Sequence, residues 1–138
     1  MPETVDWGSM SAKHLRMLAV VATDRTFEAT MLDGRRMWVG KCIHCNAKLV
    51  VDETGRAAGE ATLEHVLPET RGGDNSIANL AIACARCNRQ KSPHDVRGGV
   101  KLDEMMARLL ARRAERWREP SEVGLAAVVE RAMQRDDD

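Results

Sequence analysis

Four cysteines stand in two pairs, Cys42 with Cys45 in CIHC and Cys84 with Cys87 in CARC, with 38 residues between the pairs. Each CxxC lets two thiolates face one ion, and two such pairs complete a tetrahedron around zinc. Whatever this chain folds into must bring residue 42 against residue 84. Disulfides are the competing use of the four thiols, but they need an oxidising compartment. The N-terminus, MPETVDWGSM, has no basic stretch followed by an apolar block and so predicts a cytoplasmic protein. A redox pair is a further use of CxxC, though such pairs do not usually come twice. Thiolate binding is itself folding free energy, on the order of 10 kcal/mol or more in zinc-finger peptides. A chain of 138 residues would lean on it. His44 sits between two of the ligands, where it could compete for zinc, and is read as a loop residue. A closed four-cysteine site leaves no open coordination position, so any chemistry requires a second site.

At this length one domain with a modest core is expected, with room for a small appendage. Apolar residues make up 43% and charged residues 30%, which is globular composition. No apolar run approaches the roughly 18 residues of a membrane span, so a soluble protein without a membrane partner is expected. Formal net charge is zero, with 21 basic and 21 acidic residues, yet the charges are unevenly placed. From Cys84 to Arg118 ten basic residues face four acidic ones, a net of +6, and residues 119–138 carry six acids and two arginines, a net of −4. That asymmetry suits either an electropositive face beside an acidic tail or solvated helix surfaces.

Along the chain, Ser11 is placed to cap a helix in which Leu15, Leu18 and Ala22 recur at helical spacing, ending near Thr23. Asp33-Gly34 between apolar, β-prone runs predicts a tight hairpin with strands near 26–32 and 36–41. AKLVVDETG reads as a further strand closed by a turn at Gly55. ATLEHV is a short strand stopped by Pro68, ETRGGDNS is a loop, NLAIA is another strand, and CARCNRQKS opens a helix ending near Ser92 and Pro93. The centre therefore reads strand, loop, strand, helix. From Leu102 to Arg118 one helix face carries Leu102, Met105, Met106, Leu109, Leu110 and Trp117, and another carries Arg108, Arg112 and Arg116. Pro120 breaks the chain before a last short helix. The fold class is α+β, divided into an N-terminal helix and hairpin (1–41), a zinc-stapled core (42–97) and a C-terminal helical extension (98–138).

Glu64 and His65 bring together a carboxylate suited to a hard metal and an imidazole that takes up a proton near neutral pH. Neighbouring strand residues point to opposite faces, so both serve one centre only where the strand ends. From His65 to Asn79 is fourteen residues, and from Asn79 to Asn88 is nine. With CIHC and LEHVLPETRGGDNSIANLAIACARCNRQK, within residues 42–91, the chain resembles the HNH endonucleases, in the branch whose motif lies between two CxxC pairs. The acid-His pair, the GG loop, the NL dipeptide and the CxxCN ending occur together and in order, which is far more specific than any one of them.

The resemblance implies a small ββα-metal core with structural zinc, and an endonuclease that hydrolyses phosphodiester bonds. It implies that His65 is the general base, that Glu64 and Asn88 hold one catalytic divalent ion, Mg2+ or Mn2+, and that Asn79 fixes the loop and orients the histidine. Arg86, Arg89 and Lys91, beside Asn88, would meet phosphates. Two positions depart from the family's commoner pattern: Glu64 stands where Asp is more frequent, and Asn88 stands where the last histidine would be. His94 lies six residues beyond Asn88, out of register. With one Phe, three Trp and no Tyr, a stacking platform for single strands is not evident, so double-stranded DNA is the expected partner. A homodimer through the C-terminal helices would convert a nick into a double-strand cut. The rival readings are a zinc-containing DNA-binding module that no longer cleaves, and a redox protein using the CxxC pairs.

Overall fold

The computed structural model describes residues 7–90 and 100–135. Helix α1 (Ala12–Thr23) begins where expected, with the Ser11 hydroxyl accepting from the His14 N–H at 3.2 Å. Its sequence, AKHLRMLAVVAT, is apolar almost all round, and a helix of that kind belongs inside. Every residue from Leu15 to Thr23 is buried. Helix α4 (Ala126–Gln134) packs along one side of it and the strands β4 and β5 defined below along another. A single apolar cluster runs from α1 through Phe27, Trp38, Val51, Val66 and Ile82 to Leu109 and Val128.

Strands β1 (Glu28–Leu32), β2 (Arg35–Lys41) and β3 (Lys48–Asp52) form an antiparallel meander. Leu32 pairs with Arg35 across a two-residue turn in which Asp33 and Gly34 have φ of 51° and 76°. Two left-handed residues in succession are what the strand twist demands of so short a loop. Gly40 is required for a different reason: a Cβ there would collide with the buried ring of Phe27. Lys41 pairs with Lys48, so the CIHC segment is the turn between β2 and β3. Asn46 closes it in a left-handed conformation, φ 64°.

Strands β4 (Ala61–His65) and β5 (Leu80–Cys84) form a separate antiparallel pair, and residues 85–90 continue from β5 as helix α2. Strand, loop, strand and helix thus follow in the expected order. The expected end of α2 at Ser92 and Pro93 lies outside the described residues, as do Lys91 and His94. Helix α3 (Val100–Glu115) stops three residues short of Arg118. There the chain leaves the helix to lie antiparallel to the end of α1. Asp24 bridges Trp117, Arg25 N–H donates to the Arg116 carbonyl at 2.7 Å, and Arg118 N–H donates to Thr23 O at 3.2 Å. Among the described residues, no helix is long and apolar enough to cross a membrane.

The arginines of this region overturn the expectation of a basic outer face. Arg108 is exposed, but Arg112, Arg113, Arg116 and Arg118 turn inward and donate to backbone carbonyls. Arg112 and Arg116 reach the carbonyls of the β2–β3 turn; for Arg113 and Arg118 the physical reason lies in α1, which has no basic residue in its last turn. Its final carbonyls have no partners within the helix, and they need donors from elsewhere. Arg118 supplies Ala22 O at 3.1 Å and Val21 O at 2.7 Å, and Arg113 supplies Thr23 O at 2.9 Å. Arg113 is 1% exposed and also donates to Leu80 O at 2.7 Å and Ile77 O at 3.3 Å, binding the start of β5 to the end of α1. Burial pulls its guanidinium down to about 10, against the pull of the Asp24 carboxylate. It remains charged at neutral pH. Trp117, expected on the apolar face, is instead partly exposed, with the Arg113 guanidinium 5.1 Å from its ring centroid.

Candidate metal centres

The four cysteine sulfurs lie within 4.8 Å of one another. The β2–β3 turn supplies Cys42 and Cys45, the last residue of β5 supplies Cys84, and the first turn of α2 supplies Cys87. Backbone N–H groups point at the sulfurs: those of His44 and Cys84 at Cys42 Sγ, at 3.4 and 3.3 Å, and that of Cys87 at Cys84 Sγ, at 3.4 Å. Such donors stabilise thiolates. The Cys45 thiol is held down to about 7, first by the N–H of Ala47. Cys87 is pushed up by burial and then by its neighbouring sulfurs. Four thiols crowded this closely oppose one another's ionisation, and a divalent cation among them reverses that opposition. The donor set and spacing fit zinc. From outside, Arg112 donates to Ile43 O at 2.6 Å and His44 O at 2.8 Å, and Arg116 donates to Lys41 O at 3.1 Å and Asn46 Oδ1 at 2.5 Å.

Glu64 is the fourth residue of β4 and is 4% exposed; His65, the last, is exposed. The alternation of the strand sends the two side chains to opposite faces. Thr62 and Glu64 share a face, and Asn88 Nδ2 of α2 donates to Thr62 Oγ1 at 3.1 Å. The structure therefore brings Asn88 onto the Glu64 side of β4. The imidazole of His44 arrives there too, its Nε2 in contact with Glu64 Oε1. A carboxylate, an amide and an imidazole on one face suit a divalent ion that accepts oxygen and nitrogen donors.

His65 turns to the loop, where its Nε2 lies 2.7 Å from Asn75 Oδ1. Asn79 latches that loop shut. Its Oδ1 accepts from Leu67 N–H at 2.8 Å, its Nδ2 donates to Leu67 O at 3.0 Å and Asp74 O at 2.9 Å, and its own carbonyl accepts from Val66 N–H at 2.8 Å. The glycine pair fits around the latch. Gly72 ends a 3-10 turn (Glu69–Arg71) at φ 83°, and a Cβ on Gly73 would collide with the Leu67 carbonyl. Arg86 and Arg89 are exposed on α2.

Residues 42–94 match the family model of the HNH endonucleases. Over that segment, the chain is similar to the HNH endonucleases. No curated protein and no solved structure gave a match. The matched segment contains both cysteine pairs, β4, the latched loop, β5 and α2, and the match supports a nuclease or nucleic-acid-binding role in general terms. Two residues at this centre were given no site role from sequence. Asn75 looks like ordinary loop composition. His44 carries the one available hint, a titratable side chain held between two metal ligands.

Proposed function

We propose that this protein is a metal-dependent DNA endonuclease whose core is residues 42–97, framed by residues 1–41 and 98–138. What carries the reading is the approach of Asn88 to Thr62, which sets Asn88 and the buried Glu64 against one face of β4 within the HNH segment. Glu64 and Asn88 would hold one divalent ion, Mg2+ or Mn2+. When bound, the ion would offset charge on the scissile phosphate and on the leaving 3′-oxygen. His65 acts as general base on a water. With Asn75 Oδ1 accepting from Nε2–H, the lone pair would lie on Nδ1 and receive the proton from water. Asn79 holds the backbone immediately after His65 and so fixes where the imidazole stands. Arg86 and Arg89 lie beside Asn88 on α2, where they would meet the phosphates of duplex DNA without reading its sequence.

The test is cleavage of supercoiled plasmid by the purified chain with Mg2+, Mn2+ or EDTA, with His65→Ala alongside. Metal-dependent nicking or linearisation is expected, reduced about 10²- to 10⁴-fold in the variant. Equal cutting by His65→Ala would end the assignment of the base. A gel shift without cutting under any metal would point instead to a zinc-containing DNA-binding module.

A further inference from the structure

We propose that the cysteine knuckle does more than hold the fold: through His44 it positions the Glu64 carboxylate for the second ion. The inference rests on the endonuclease reading for the role of Glu64. His44 is held on both sides, by the knuckle and by α3. Its N–H points at Cys42 Sγ at 3.4 Å, and its carbonyl accepts from Arg112 at 2.8 Å. The preceding residue is tied to β5, with Ile43 N–H donating to Ile82 O at 3.0 Å. Held in this way, the main chain of His44 has little freedom. Its imidazole reaches away from the four sulfurs and meets Glu64 Oε1, with the two side chains 14% and 3% exposed.

A carboxylate buried to that degree requires a hydrogen-bonding partner, and the partner decides which way it faces. In many metal sites a carboxylate orients a ligating histidine from behind, and removing such a support weakens metal binding about 10- to 100-fold. Here the order is reversed, with the imidazole steadying the ligating carboxylate. His44 is therefore a positioning residue, and the two metal sites are separated by one side chain. Glu64 is longer than the aspartate more frequent at this position, so it has one more rotatable bond to be fixed. An imidazole from the adjacent turn fixes it.

The experiment uses the zinc-loaded full chain, wild type, His44→Ala and His44→Gln. Zinc content and thermal melting check the knuckle, and electron paramagnetic resonance of free Mn2+ in the absence of DNA measures second-ion binding. His44→Ala should keep its zinc and bind Mn2+ about 10- to 100-fold more weakly. His44→Gln, whose amide still donates to a carboxylate, should recover most of that loss. A second readout needs no variant: the imidazole nitrogen shifts of His44 should move on Mg2+ addition, with His14 as reference. Unchanged Mn2+ affinity in His44→Ala, or unmoved His44 shifts, in a chain that still cuts plasmid would overturn the inference and leave the nuclease standing. A wild-type chain that binds no Mn2+ and cuts nothing would overturn both.

Discussion

Strand β5 is held at both ends, and the two grips are built from different chemistry. At Cys84 the strand enters a cluster of four sulfurs spaced to hold a metal ion. At Leu80 it meets Arg113, which needs no ion: one buried guanidinium joins β5, the turn before it and the last residue of α1. Filled by zinc, the sulfur grip would be conditional on zinc supply, whereas the arginine grip is present whenever α3 is packed. Asn79 and Asn88 sit just outside the two ends of β5, so each is steadied by its own grip. Two proposed site residues nine positions apart therefore depend on separate sources of stability.

Breaking the sulfur grip should have the largest effect. Cys84→Ser, or prolonged chelation, removes metal-binding free energy on the order of 10 kcal/mol, comparable to the whole stability of a typical domain. Circular dichroism should show loss of the cooperative transition together with loss of zinc, and an unchanged melting curve would sink the staple. Arg113→Met should come next. It leaves carbonyls of Leu80, Ile77 and Thr23 without their donor, a loss of about 3 kcal/mol, read as a lower midpoint in urea at unchanged zinc content. If zinc were lost as well, the two grips would not be independent. The smallest effect is expected remote from both, at Asp52, the last residue of β3. Its carboxylate accepts from Thr54 N–H at 2.8 Å, Thr54 Oγ1 at 2.6 Å and Arg56 N–H at 3.0 Å. Burial pushes this group up, but the Thr54 and Arg56 bonds together outweigh it and hold it below its ordinary 3.8. Its contribution is therefore complete above 3.8 and is lost as pH falls through the folded value. Asp52→Asn should cost about 1 kcal/mol at neutral pH and flatten the acid end of a stability-pH curve, while both grips stay intact.

The sulfur grip is legible in the sequence because metal ligands must recur at fixed spacing. The hairpin turn at Asp33-Gly34 is legible because few residues accept two positive φ angles in succession. The order from β4 to α2 follows from strand-length apolar runs and one proline. The arginine grip is not legible. Periodicity places Arg112, Arg113 and Arg116 on a helix, but their heads reach water or carbonyls according to where the end of α1 lies, and that is decided by tertiary packing. His44 was read as a loop residue for a related reason, since its neighbours in the chain are metal ligands while the group it contacts is twenty residues away. Glu64 and Asn88 were placed by resemblance, and their common face became visible only through Thr62.

The Asn79 latch bears on how this protein could be altered. Its side chain spans twelve residues to Leu67, closing a ring whose base is rigid and whose rim is open to solvent at Thr70. The entropy of closing a ring grows only with the logarithm of its length, about 0.6 kcal/mol for each doubling. A short graft at Thr70 would therefore leave the base of the ring nearly as firm as before. The rim is a place where new DNA contacts can be added without resetting the two strands beneath it.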